Sequence, residues 1–297
     1  MALTGLHLLL TYQCTHSCAH CFLFGGPKAR GTFTAEQIRR LFAEGERIGT
    51  IQEIYFEGGE PFLYYPLLLM GVQEARRRGW STGIVTNGYW ARSPEDARLW
   101  LEPLAAANLG DLTVSCDALH GNEREAAIAR AAAEELGIPC GSIAIDKGTA
   151  EALPGEPVSG GNVMYRGRAA GHLADRRAGR PWQEFDRCTH EKLDESGRVH
   201  LDAAGHVHLC QGISMGNYWQ TPLDQLVESF RPADHPIVGP LLRGGPAELA
   251  RTYGLPDRET YADACHLCYL VRRHIRERFP ELLAPGQMYG EVGVETL

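Results

Sequence analysis

The chain has 297 residues, a formal charge of -8, 44% apolar residues and 22% charged residues. That balance suits a folded protein with a sizeable core and leaves no basic footprint for nucleic acid or an anionic membrane. No apolar run reaches the ~18 residues a membrane span needs, and the first residues lack the basic and small-residue marks of a signal peptide, so a cytoplasmic protein with no membrane partner is expected.

In that reducing compartment, nine cysteines point to a metal or redox role rather than to disulfides. The local basic run Arg272, Arg273, Arg276 and Arg278 reads as a solvated helix face.

Apolar or β-branched runs alternate with helical patterns from residue 6 to about 166. The expected strands are Leu6 to Thr11, Ile51 to Phe56, Ser81 to Val85, Leu112 to Ser115, Cys140 to Ile145 and Asn162 to Tyr165. Thr34 and Gln37 make a capping box, and Ile38, Leu41, Phe42, Gly45 and Ile48 make the buried stripe of the first helix. Tyr65 to Arg78, a segment opened by Ser93-Pro94, and Asn122 to Leu136 read as the next three helices. Strands and helices in this alternation imply parallel pairing with right-handed crossovers, and six strands suggest a partial (β/α)6 TIM-like barrel over residues 1–168.

Lys147 to Gly161 is rich in Gly, Pro and Ser and reads as a connection. Beyond it a smaller α+β unit is expected over 169–297. It has a hairpin of Arg198 to Leu201 and His206 to Leu209, a helix after Thr221-Pro222, and another from Tyr261 to Phe279.

Cys14, Cys18 and Cys21 follow the first strand directly, at the rim where parallel α/β folds build their sites. Three thiolates do not complete a structural zinc site unless His16 or His20 joins them, but they suffice for a cubane iron-sulfur cluster with one iron left open. In the tail, Cys188, Cys210, Cys265 and Cys268 could close either a zinc site or a second cluster. Arg168 reads equally as a clamp for a carboxylate or as a structural ion pair. Cys116 and Cys140 read as packed thiols.

The spacing of the first three cysteines resembles that of the radical SAM superfamily. The resemblance extends to Glu57-Gly58-Gly59-Glu60-Pro61, which looks like the family's glycine-rich motif, and to Thr86-Asn87-Gly88 and Ser115-Cys116-Asp117 at the ends of the third and fourth strands. It implies a [4Fe-4S] cluster on Cys14, Cys18 and Cys21 with S-adenosylmethionine (SAM) on its open iron. Contacts to SAM are implied for His20, Gly58, Gly59, Glu60, Asn87, Ser115, Asp117 and Arg168. It also implies one-electron cleavage of SAM to a 5'-deoxyadenosyl radical that takes hydrogen from a substrate, fed by a reducing donor such as flavodoxin or ferredoxin.

The tail, with Arg198 to Gly212, Gly216-Asn217 and Pro222-Leu223, is similar to the SPASM or twitch extension of such enzymes. That likeness implies an auxiliary [4Fe-4S] cluster on the four tail cysteines. The expected function is a radical SAM oxidoreductase acting on a small molecule or a peptide by oxidation, epimerisation or cross-linking. The alternative is a non-catalytic iron-sulfur or zinc-binding protein of electron transfer or interaction.

Overall fold

The computed structural model describes residues 2–145, 149–151, 163–176, 178–255 and 257–291. The chain folds as two compact units, one of Thr4–His16 and Gly25–Val163, the other of Met1–Leu3, Ser17–Phe24 and Met164–Leu297. They are called here the N-terminal and C-terminal units.

In the N-terminal unit, β1 (Gly5–Thr11), β2 (Glu53–Gly58), β3 (Ser81–Thr86), β4 (Asp111–Ser115) and β5 (Cys140–Ala144) pair side by side in chain order, all parallel. The order never reverses, as it would in a doubly wound sheet, so this is a singly wound α/β unit of the partial TIM-barrel type. The crossovers are α1 (Ala35–Ile48), α2 (Tyr65–Arg77), α3 (Pro94–Ala106) and α4 (Glu123–Glu135). The capping box of α1 is present as expected, with the Thr34 side chain accepting from the Gln37 amide and the Gln37 side chain accepting in return from the Thr34 amide. Ser93 caps α3 by accepting from the Asp96 amide.

Side-chain alternation decides which face the helices cover. Leu6, Leu8, Leu10, Ile54, Phe56, Ile84, Leu112 and Val114 are fully buried. Gly71 of α2 lies so close to the Phe56 ring that a Cβ there would fall 2.6 Å from it. The opposite face carries polar groups. His7 hydrogen-bonds Glu57 and stacks on Tyr55 with ring centroids 4.8 Å apart. The Tyr55 hydroxyl donates to Asp111 at 3.1 Å, and Thr113 donates to the same carboxylate at 2.8 Å.

The sixth parallel strand expected at 162–165 is not seen among the described residues: Val163 to Tyr165 carry no ladder, and Asn162 lies outside them. The Tyr165 amide donates instead to the Asp263 carboxylate, and the Arg166 amide turns back to Met164 O. A short strand, β6 (Thr149–Glu151), pairs antiparallel with β5 inside the segment read as a connection, the rest of which lies outside the described residues.

The C-terminal unit holds α5 (Arg168–His172), a two-residue antiparallel pair of β7 (Arg180–Pro181) and β11 (Thr260–Tyr261), and a meander of β8 (Arg198–Asp202), β9 (His206–Cys210) and β10 (Ile213–Asn217). The expected hairpin is there, in the register His200 to His208, and β10 extends it by a strand the sequence did not announce. Helices α6 (Leu223–Ser229), α7 (Val238–Thr252) and α8 (Ala264–Ile275) follow. α6 starts without a side-chain cap, whereas Asp263 caps α8 by accepting from the His266 amide at 2.7 Å. α7 was not foreseen because Gly244, Gly245 and Pro246 interrupt its pattern, and the chain does kink there. No helix of the described residues is long and apolar enough to cross a membrane.

Candidate active site and cysteine centres

The loop after β1 carries the three cysteines. Cys14 belongs to the N-terminal unit, while Cys18 and Cys21 belong to the C-terminal unit. Cys14 is held by its amide on Gly26 O, and its Sγ accepts from the His16 amide at 3.4 Å and from Asn87 Nδ2 at 3.5 Å. Cys18 and Cys21 are joined by a turn in which the Cys21 amide donates to Cys18 O.

The glycine motif closes against this loop. Gly58 has φ +125°, and a Cβ on Gly59 would lie 2.1 Å from Gln13 O and 2.7 Å from Tyr12 O. Only glycine permits that approach, and the Gly59 and Glu60 amides donate to Thr11 O and Gln13 O. Part of what the sequence assigned to SAM is therefore also a packing requirement of the chain itself.

Glu60 is fully buried and acts within the protein. Its carboxylate accepts from Thr86 Oγ1 at 2.8 Å, the Asn87 amide at 2.8 Å and the Phe62 amide at 3.1 Å. Burial nonetheless pushes its pKa up to about 7, against the pull of those donors. Asn87, at the end of β3, donates through Nδ2 to Thr15 Oγ1 at 3.1 Å as well as to Cys14. Asp117 is buried, and one carboxylate oxygen accepts from the Leu119 and His120 amides, an Asx-type turn after β4. Ser115 offers its carbonyl to Asn122.

Asn122, read as the start of α4, stands just before its first residue and makes no side-chain cap. Its Nδ2 donates to both Asn87 O and Ser115 O at 2.6 Å, tying the ends of β3 and β4 together. In the C-terminal unit His20 is buried, while Arg168 donates through Nε to Cys18 O at 2.9 Å and through its amide to Cys21 O at 3.0 Å.

The four tail cysteines do come together. Cys188, Cys210, Cys265 and Cys268 line one cavity, with Arg166 and Arg272. Burial raises the thiols of Cys210, to about 11, and of Cys265 and Cys268, so a bound metal is what would hold them as thiolates. Arg166 donates to Cys210 Sγ at 2.9 Å. Arg272 hydrogen-bonds the Cys268 side chain and donates to Gln211 O at 2.9 Å. The solvated-face reading of the basic run thus fails at Arg272, which is 1% exposed. It sits four residues after Cys268, and that spacing, one turn along the same helix face, was the available signal.

This donor set fits an anionic sulfur-ligated metal group: four sulfurs and two buried guanidinium groups share one pocket. Cys116 is half-buried and its amide donates to Ile143 O; Cys140 is also half-buried and its thiol is pushed up to about 11 by burial. Trp80 and Trp90 are buried in the core.

Residues 8–135 match the family model described as Radical SAM superfamily. Over these residues the chain is similar to the radical SAM superfamily. It is 31% identical over 111 residues to YydG of Bacillus subtilis (strain 168), named as a peptide biosynthesis protein, a match covering 37% of this chain and 35% of that one. It is 31% identical over 84 residues to the tungsten-containing aldehyde ferredoxin oxidoreductase cofactor-modifying protein of Pyrococcus furiosus, covering 28% and 23%. The chain thus spans about a third and about a quarter of the lengths of these relatives. Among solved structures it is similar to BtrN in complex with AdoMet and 2-DOIA, with a TM-score of 0.48, 16% identity, and coverage of 76% of this chain and 82% of that one.

Proposed function

We propose that this chain is a radical SAM enzyme that cleaves SAM reductively and abstracts hydrogen from a polar small molecule or peptide, with a second iron-sulfur cluster in its C-terminal unit. The observation that carries the reading is Asn87, whose side chain reaches Cys14 and Thr15 and whose backbone is fixed by Glu60 and Asn122.

When bound, a [4Fe-4S] cluster on Cys14, Cys18 and Cys21 would supply one electron to SAM on its open iron, giving a 5'-deoxyadenosyl radical. The chain's own residues do the rest. Gly58 and Gly59 let backbone come close at the end of β2, Asn87 and Ser115 offer polar groups at the ends of β3 and β4, and Glu60, Asp117 and Asn122 hold those ends in place. Glu60 is then a positioning residue. His20 and Arg168 belong to the same reading as neighbours of the cysteine loop.

The substrate class is inferred from the polar face of the sheet. His7, Glu57, Tyr55, Asp111 and Thr113 form a hydrogen-bonded polar row there. Such a row suits a ligand bearing hydroxyl or amine groups. The names of YydG and the cofactor-modifying relative favour a peptide or a small molecule as the substrate.

In the C-terminal unit, Cys188, Cys210, Cys265 and Cys268 would hold the second cluster, fully ligated and so suited to relaying electrons, with flavodoxin or ferredoxin as donor to the protein. Iron and zinc analysis of anaerobically purified protein tests both centres: about eight irons per chain is expected, and zinc in place of the second four would assign the tail cysteines to a structural metal instead.

A further inference from the structure

We propose that Arg166-Gly167-Arg168 is a strap that makes assembly of the SAM-binding cluster depend on occupancy of the tail cysteine site. The inference rests on the reading of those cysteines as a metal centre, and every contact used lies within the C-terminal unit.

The three residues reach two places at once. Arg166 donates to Cys210 Sγ at 2.9 Å while its guanidinium lies 4.9 Å over the ring of Phe22, the residue after Cys21. Gly167, at φ +58°, passes so close to the cysteine loop that a Cβ would fall 2.4 Å from the Phe22 backbone. Arg168 then bonds Cys18 O and Cys21 O. One end of the strap thus holds the cysteine loop and the other touches a ligand of the second centre.

Charge supplies the coupling. Arg166 and Arg272 are 4% and 1% exposed, and among the described residues neither forms an ion pair with a carboxylate. Glu191, which lines the same cavity and acts on Arg166 through space, is shared with Arg198, 3.8 Å away. The Nε atoms of both arginines are buried without a partner. Two buried cations with one shared carboxylate nearby are left under-compensated, which is disfavoured. Four thiolates around a [4Fe-4S] or a zinc centre leave a net charge of about -2, which matches two guanidinium groups. Without that centre Arg166 gains by leaving for water, and it can do so only by drawing Gly167 and Arg168 off the loop of Cys18 to Phe22.

The test uses the full chain, anaerobically reconstituted with iron and sulfide, and reads metal content and the EPR signal of the reduced cluster with and without SAM. In the wild type, iron supplied at about four per chain should give little SAM-responsive signal, which should rise at least fivefold once the tail site is filled. Cys265→Ala/Cys268→Ala should lose at least four-fifths of the SAM-responsive signal although Cys14, Cys18 and Cys21 are intact. Adding Arg166→Met to that variant removes the uncompensated charge and should restore at least half of it, which a general folding defect would not do.

A SAM-responsive cluster that fills first and fully at limiting iron overturns the strap. So does an undiminished signal in the double alanine variant, with the wild type holding metal at both sites. A wild type that binds no metal at the tail cysteines removes the underlying reading and the strap with it.

Discussion

Replacing Glu60 by glutamine probes the least obvious part of the site. The carboxylate now accepts three hydrogen bonds, two on one oxygen and one on the other. A carboxamide offers a single oxygen, so its NH2 must face either the Asn87 amide or the Phe62 amide, leaving a buried donor unsatisfied at about 1–3 kcal/mol.

The pH dependence separates this loss from a generic one. Because burial raises Glu60 to about 7 from 4.5, the folded state holds its proton more tightly than the unfolded one. The associated stability is full below pH 4.5 and is lost as pH rises through 7, by about 3 kcal/mol in all. Glutamine does not titrate, so the wild type should lead the variant most at pH 5, and the lead should shrink by up to that amount at pH 8. Urea unfolding without SAM, at fixed metal loading and at several pH values, measures it. A lead that stays level or grows with pH would show that the three donors outweigh desolvation and refute the argument.

Gly59→Ala should lower stability by about 2–3 kcal/mol through overpacking against Gln13 and Tyr12, seen as a fall in urea midpoint even in metal-free protein. Asn122→Ala removes both bonds that join Asn87 O to Ser115 O; SAM affinity by equilibrium dialysis should weaken roughly tenfold, an effect of about 1.4 kcal/mol. Asp202 is fully buried between His206 and His208, which hydrogen-bond its carboxylate and hold its pKa well below the usual range. Its stabilisation is present above the ordinary carboxylate pKa and lost as pH falls, so Asp202→Asn should cost about 2–3 kcal/mol at pH 7 and less at pH 3, by denaturant titration.

Much of the fold could be read from local signals. The Thr34 and Gln37 box, Ser93-Pro94, and Gly79 and Gly137 just beyond their helices each act within a few residues, so the bounds of α2 and α4 came out to within about two residues. The rim positions were legible for a similar reason, since strand ends and motifs coincide in the chain. What was not legible depends on distant partners. Only the spacing from Cys268 hints that Arg272 is buried, and its other partners, Gln211 and Tyr289, lie far off in the chain. Val163 to Tyr165 has the composition of a strand, but its backbone is claimed by Asp263. Asn122 looks like a helix cap because its type and position fit one, yet two carbonyls at other strand ends compete for its amide and win.

The central claim is that three sulfurs on one loop hold a cluster able to reduce SAM. Anaerobic protein, reconstituted with iron and sulfide and reduced with dithionite in the presence of SAM, should release 5'-deoxyadenosine and methionine in amounts that grow with time. Replacing Cys14, Cys18 and Cys21 by alanine should abolish both products. Intact SAM after prolonged incubation with fully iron-loaded wild-type protein would contradict the account.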